Sequence, residues 1–235
     1  MKKVKMIYEG KAKKLYKTYN DDQLICEFKD DATAFNGEKK DEIKNKGEIN
    51  AELTNILFKM LAKKGIKTHL INKINKTDLL VKNLDIIPVE VVIRNKAAGS
   101  LAKRLGKEEG SKMAQPVLEF YYKSDELGDP LLNKNHIFIE NLATEKDLEK
   151  MSEMAFKINR YLKKYLAKRN IDLIDFKIEF GKDKKGKIHL ADEITPDTCR
   201  LWDINTQKKL DKDRFRRELG EIEGAYQEIL NRVRN

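Results

Sequence analysis

The chain has two cysteines in 235 residues, Cys26 and Cys199, with no CxxC spacing, so nothing supports a disulfide framework or a cysteine-built zinc site. Cys199, beside Arg200, reads as a small packing residue. Histidine is as scarce: of three, His136 has no other His at metal-ligand spacing, and its reading is structural. No apolar run approaches the roughly 20 residues that a bilayer span needs. The basic start Met1-Lys2-Lys3 leads into a strand-like segment holding Glu9 and Lys11, not into a signal-peptide core. A cytoplasmic protein without a membrane partner is expected. GxxxxGK[ST] does not occur, which removes the Walker class of nucleotide site. No RNP, zinc-finger or Arg-rich segment occurs either. The net charge of +10 is spread along a chain that also holds 39 acidic residues, so no nucleic-acid partner is expected. Repeats and low-complexity tracts are missing as well.

What is present is enough apolar material for a real core, 40% of residues, beside 37% charged residues rich in Lys and Glu, a balance met in proteins from hot environments. The charge concentrates in Leu173 to Asp203. Ile171 to Gly181 alternates with period two: Ile174, Phe176, Ile178 and Phe180 share one face, Asp175, Lys177 and Glu179 the other. After a turn around Gly186, Lys187 to Ile194 returns as a second strand carrying Asp192 and Glu193. Two neighbouring carboxylates repel unless a cation joins them, and such oxygen ligands suit Mg²⁺. Glu179 and Asp192 are the candidate pair. Strict alternation puts Asp192 with Ile188 and Leu190, so reaching Glu179 requires a bulge or a sheet covered on both faces. The plain alternative is a solvated face closed by surface salt bridges. Asp197 and Arg200 then follow in a loop interrupted by Pro196.

In chain order, Val4 to Tyr8, Lys14 to Thr18 and Gln23 to Phe28 are predicted strands. Between the first two, Gly10-Lys11-Ala12-Lys13 offers a close backbone approach and two ammonium groups for phosphates, or simply a basic hairpin turn. Asp30 to Lys46 reads as a polar loop. Glu48 to Lys64 is a helix with Ile49, Leu53, Ile56, Leu57, Met60 and Leu61 on one face, and Gly65 suits its C′ position. Lys67 to Asn72 and Asp78 to Lys82 close a first unit, residues 1–82, and Asn83 to Ile87 links it to a second, 83–235. In Pro88 to Asn95, Glu90, Val92 and Arg94 point one way, so Glu90 and Arg94 either pair with each other or face a ligand. Ala97 to Ser100 opens a helical stretch to Leu105, with Ser100 as N-cap or anion ligand. Ser124 to Ile137 is a loop. Thr144 and Asp147 resemble a capping box for a helix reaching Arg169, with a stripe from Leu148 to Leu166. Asp211 to Arg234 reads as one closing helix with Phe215, Leu219, Ile222, Tyr226, Ile229, Leu230 and Val233 inward.

Two of these stretches, LIDFKIEFG and IIPVEVVIRNKAAGS, resemble the two sequence signatures of the SAICAR synthetase family, without a mismatch and in the family's order. GKAKKLY, SDELGDPLLNKNHI and ADEITPDTCRLWD extend the resemblance over almost the whole chain. It implies an α+β fold of two parts, a small antiparallel β-rich N-terminal unit and a larger sheet-plus-helices unit, with ATP between them. The implied reaction joins L-aspartate to the ribonucleotide CAIR at the expense of ATP, with Mg²⁺, in a homodimer.

The resemblance also implies roles. Gly10, Lys11, Ala12 and Lys13 cover the ATP phosphates, and backbone groups near Lys82 and Leu84 hold the adenine. Glu179 and Asp192 hold Mg²⁺ and the nucleotide. Arg94, Ser100 and Arg200 grip the ribonucleotide phosphate, with Asp175 on its ribose or base and Glu90 beside them. Lys177, Asp175 and Arg94 form the implied catalytic centre. No motif identifies the aspartate site. A phosphotransferase would use the same carboxylates and basic hairpin without making an amide, and a nucleic-acid-binding module would need neither Glu179 nor Asp192.

Overall fold

The computed structural model describes residues 2–34 and 39–235. Its first sheet is built from β1 (Lys5–Glu9), β2 (Lys13–Lys17), β3 (Gln23–Phe28), β6 (Leu70–Lys73) and β7 (Asp78–Lys82), in the order β1-β2-β3-β7-β6 and antiparallel throughout. Between β3 and β6 come a two-stranded hairpin, β4 (Asp31–Ala34) with β5 (Lys39–Glu42), and the helix α1 (Lys46–Ala62). The expected polar loop over 30–46 is therefore partly a hairpin, since backbone pairing satisfies polar groups that a bare loop would leave to water. Residues 35–38 of that stretch lie outside the described ones. Gly65 ends α1 as expected, at φ 81°, with Ile66 N–H donating to Leu61 O and Gly65 N–H to Ala62 O.

The second sheet takes β8 (Asp85–Ile86), β9 (Val89–Lys96), β10 (Lys112–Tyr122), β11 (Leu131–Leu132), β12 (Ile171–Lys182), β13 (Ile188–Ala191) and β14 (Cys199–Asp203). Its spine is β12. Residues 175–178 pair with β9, 171–176 with β14, 179–182 with β13 and 181–182 with β8, all antiparallel. The helices are α2 (Gly99–Leu105), α3 (Lys134–Ile139), α4 (Glu145–Ala167), α5 (Asp213–Arg216) and α6 (Ile222–Arg234). The fold class is α+β, as expected. Thr144 and Asp147 form the capping box of α4, each side chain accepting from the other's backbone N–H, a device worth about 1 kcal/mol. Leu148, Met151, Ile158 and Leu162 of α4 are fully buried on the sheet, and each such side chain contributes about 1.5–3 kcal/mol relative to exposure. Among the described residues no helix is long and apolar enough to cross a membrane.

The core of the second sheet also takes in Leu53, Leu57, Phe58 and Leu61 of α1, while Ala51 on the same helix packs on Leu24, Cys26 and Phe28 of the first sheet. One helix is thus shared by both sheets. Three expectations fail locally. A bulge between Leu173 and Asp175 moves Ile174 off the Phe176 face, onto Ala98 and Trp202. Arg200 lies in β14, not in a loop. The closing helix breaks into α5 and α6, because Glu218, Gly220 and Glu221 adopt positive φ and leave Leu219 45% exposed.

Candidate active site

The pairing of three strands decides which charges meet. On β12, Asp175 stands opposite Arg94 of β9 on one side and Arg200 of β14 on the other, and Glu179 stands opposite Ala191, the last residue of β13. Asp192 is the next residue, outside the strand, and it takes a left-handed backbone, φ 60°. That turn answers the facing problem. Leaving the pleat after Ala191 frees Asp192 from the strand's alternation and aims its carboxylate at Lys177, without a bulge in β13.

Lysines and carboxylates interleave at this end. Lys177 Nζ lies 2.7 Å from Glu179 Oε1, 3.0 Å from Asp192 Oδ2 and 3.1 Å from Glu90 Oε1. Lys123 reaches Glu179 Oε1 at 2.8 Å, and Lys13 pairs with Asp192 and, at 2.8 Å, with Glu193. Burial opposes the charge on Lys177, but Asp192, Glu179 and Glu90 outweigh it and hold the ammonium well above its usual range. Asp192 and Glu193 do the same for Lys13. Asp192, also buried, is held well below the usual carboxylate range by Lys13 and Lys177. Glu90 is pushed up, by burial first and against the pull of Lys177.

Guanidinium groups take over at the other end. Arg94 is buried and spends its fork on Glu119 (Nε, 2.6 Å), Asp175 (Nη1, 2.9 Å), Ser100 (Nη2, 3.1 Å) and Tyr121 (Nη2, 2.9 Å). Its partner is not Glu90, which pairs with Lys177 instead. Arg200 donates to the same Asp175 oxygen at 2.7 Å and to Asp213 at 2.8 Å. Arg216 donates to the other Asp213 oxygen at 2.7 Å. The result is an alternating chain Glu119–Arg94–Asp175–Arg200–Asp213–Arg216. Gly99, at φ 51°, makes room for it, since a Cβ there would come within 2.5 Å of the Arg200 guanidinium. Ser100 does not cap α2; Ala98 holds that position, and the Ser100 hydroxyl accepts from Arg94.

Both ends open into one cavity of about 640 Å³. The β1–β2 turn supplies Gly10, Lys11, Ala12 and Lys13 to its wall, the link between the sheets supplies Lys82 and Leu84, and Glu90, Arg94, Asp175, Lys177, Glu179, Asp192 and Arg200 complete the expected set. Of the expected site residues only Ser100 is not in the lining, and it touches the cavity through Arg94. The turn is anchored by Gly10 N–H to Lys13 O at 2.8 Å, and Lys11 crosses to Asp125 at 2.6 Å. A Cβ at Gly10 would meet the ring of the exposed Tyr8 at 2.9 Å, a contact that Tyr8 can relieve by turning outward. Asp197, singled out with Arg200 by its loop, is in the lining too, whereas Glu119, Lys123, Lys212 and Arg216 were not anticipated. Lys123 had a signal, an ammonium directly before the Ser124 loop; Glu119 had none, because Pro116 hides the strand around it.

Glu179 and Asp192 suit a divalent cation in one respect. They already gather on a single positive charge, the Lys177 ammonium, and both present hard oxygen donors. Among the described residues no three His, Cys, Asp or Glu side chains form a metal cage, so a cation there needs further oxygens from phosphate and water, which is the habit of Mg²⁺.

A family model described as SAICAR synthetase matches residues 6–233. The chain is 57% identical over 233 residues to the phosphoribosylaminoimidazole-succinocarboxamide synthase of Clostridium botulinum (strain Alaska E43 / Type E3), with 99% of each chain covered. The crystal structure of the synthase of that name from Ehrlichia chaffeensis superposes with a TM-score of 0.96 at 46% identity, covering 98% of both chains. A SAICAR synthetase solved in complex with ADP superposes with a TM-score of 0.95 at 52% identity, covering 97% of each.

Proposed function

This chain belongs to the SAICAR synthetase family and is an ATP-dependent carbon–nitrogen ligase; from that premise we propose that it joins L-aspartate to the carboxylate of CAIR, giving SAICAR, ADP and phosphate by way of an acyl phosphate. The observation that carries the reading is the single cavity into which the basic β1–β2 turn and the charged faces of β9 and β12 all open. A carboxylate does not condense with an amine in water. Transfer of the γ-phosphoryl to the CAIR carboxylate makes an electrophilic acyl phosphate and releases ADP; the aspartate amine attacks the acyl carbon, the C–O bond to phosphate breaks, and the amine sheds its proton.

Within this reading residues 1–82 cover the nucleotide and 83–235 carry the substrates. Lys11 and Lys13 lie over the phosphates, backbone groups near Lys82 and Leu84 meet the adenine, and Lys177 offsets charge on the group in transfer. Mg²⁺, when bound, would be held by Glu179 and Asp192 with phosphate oxygens, supplying charge neutralisation that a lysine gives less compactly. Arg94, Ser100 and Arg200 grip the CAIR phosphate, with Asp175 and Glu90 orienting the sugar and base. The protein's contribution is positioning and fixed charge in a partly dry site. It acts as a cytoplasmic homodimer, with no nucleic-acid or membrane partner.

The test is purified protein with ATP, Mg²⁺ and CAIR, with and without aspartate, following ADP and the amide product. ADP formed together with a product that requires aspartate supports the ligase. Phosphorylated product without amide formation points to a phosphotransferase, and no ATP turnover at all sinks both.

A further inference from the structure

Two cations on the cavity wall have no role in the assignment above. Lys212 and Arg216 lie one helical turn apart, fixed by Lys212 N–H to Pro196 O and Arg216 N–H to Lys212 O, both at 3.0 Å. The nearest anion to the Lys212 ammonium is Asp197 Oδ1, at 3.6 Å. Asp197 is already satisfied: Asn50 Nδ2 and Tyr226 Oη donate to it at 2.8 Å each, and the Lys46 ammonium pairs with it at 2.7 Å. Arg216 spends one N–H on Asp213, and its Nε and Nη2 have no protein acceptor among the described residues. By contrast Arg94 and Arg200 use all three nitrogens of their forks.

The surroundings of Lys212 are short of negative charge. Burial, Arg216 and Lys46 together pull its pKa down, against the opposing pull of Asp197 and Glu193, whereas Lys13 and Lys177 are held high by surplus carboxylates. A lysine side chain that is 14% exposed, whose one counter-ion stands off at 3.6 Å and is shared with Lys46, Asn50 and Tyr226, has charge left to offer an anion. Position selects which one. Arg216 shares Asp213 with Arg200, next to the proposed ribonucleotide phosphate grip, and Lys212 lies beside Asp197 and within electrostatic reach of Glu193, the partner of Lys13. An anion held here sits between the two proposed substrate groups. Neither the nucleotide nor the ribonucleotide is assigned to this stretch of wall.

We infer that Lys212 and Arg216 bind the carboxylates of the dicarboxylic amino-acid substrate and so aim its amine at the activated carboxyl. The inference rests on the ligase reading and deepens it. Asp197, clamped by Lys46, Asn50 and Tyr226, acts as a positioning residue that fixes where Lys212 can place its charge.

The test measures each KM separately in Lys212→Met, Lys212→Arg and Arg216→Gln, and the binding of succinate, which has both carboxylates but no amine. Lys212→Met should raise KM for aspartate about tenfold or more while KM for CAIR and ATP stay within about twofold, with partial recovery in Lys212→Arg. Succinate binding measured by calorimetry should weaken in parallel. An aspartate KM within about twofold of wild type in both Lys212→Met and Arg216→Gln overturns the assignment, as does an equal rise for CAIR, which would place these residues on the phosphate. Where Lys212→Met fails to fold, Arg216→Gln decides alone. Wild-type protein that turns over ATP without making amide sinks the ligase reading; loss of succinate binding in the variants would still support the subsite.

Discussion

At one end of the cavity the positive charge is carried by Lys13, Lys123 and Lys177, and at the other by Arg94, Arg200 and Arg216. The lysines are point charges on flexible stems, Lys13 and Lys177 each shared among carboxylates and Lys123 resting on Glu179, so their partners can exchange when phosphate and a cation arrive. Arg94 and Arg200 are planar forks locked to Glu119, Asp175 and Asp213 before any ligand binds. One end is suited to chemistry in which charge moves, the other to holding a group of fixed shape. The two should therefore respond differently to conservative substitution: the lysine–carboxylate end through turnover, the arginine end through affinity and stability.

The largest effect is expected from the carboxylates of the first end. Glu179→Gln and Asp192→Asn keep shape but remove charge, and each should lower turnover on the order of a hundredfold or more. Near-wild-type turnover at ordinary Mg²⁺ concentration in either variant would take that residue out of the site. The arginine end should answer in KM. Arg94→Lys keeps the charge and loses the fork, so KM for CAIR should rise at least about tenfold, about 1.4 kcal/mol, with KM for ATP little changed. Arg94→Ala takes one buried cation from Glu119 and Asp175, which keep Arg104 and Arg200, and should cost less stability than the about 3–5 kcal/mol of a fully stranded charge, read as a fall in melting temperature. If Arg94→Lys is silent in both KM values, the fork is structural only.

A pH effect separates the ends further. Asp211, fully buried behind Arg200 and accepting from the Leu201 and Asp213 N–H groups, is pushed from 3.8 up to about 7, by burial first and by Asp213 next. The folded protein therefore keeps a proton that the unfolded chain gives up. Stability contributed by this group is complete below about pH 4 and declines as pH rises toward 7. Asp211→Asn should flatten the melting temperature over that window; an unchanged slope would show that Asp211 titrates normally. The smallest effect belongs to Lys11, whose one close partner among the described residues is the exposed Asp125. Lys11→Ala should move ligand-free stability by less than about 0.5 kcal/mol yet weaken ADP-induced stabilisation. Lys13→Ala, which removes a buried partner of Asp192 and Glu193, should lower ligand-free stability as well. Equal behaviour of the two would erase the distinction between the rim and the floor of the lysine end.

Legibility followed the range of the signal. The capping box at Thr144, the turn at Gly65 and the alternation from Asp175 to Phe180 are local, and residues a few positions apart announced them. β10 was missed because Pro116 and a register shift between Lys112 and Val117 break its alternation, and Glu119 and Tyr121 were lost with it. The Asp192 carboxylate was found by its chemistry, but its route to Glu179 depends on one φ angle that no periodicity encodes. Lys212 and Arg216 stand in a stretch whose periodicity predicts one continuous helix, and Gly220 inside it marks where the helix breaks.

The sharing of α1 between the two sheets has a consequence for how this protein is made. The residues of the first sheet leave the ribosome early, together with a helix whose Leu53, Leu57 and Leu61 have no place to go until α4, β12 and α6 arrive. The start of α6 lies about 160 residues beyond the end of α1, which at roughly 5–20 residues per second is roughly ten to thirty seconds of translation. For that interval an apolar helix stays uncovered on the nascent chain. Truncations that stop short of α6 should therefore expose apolar surface and aggregate where the longer chain stays in solution.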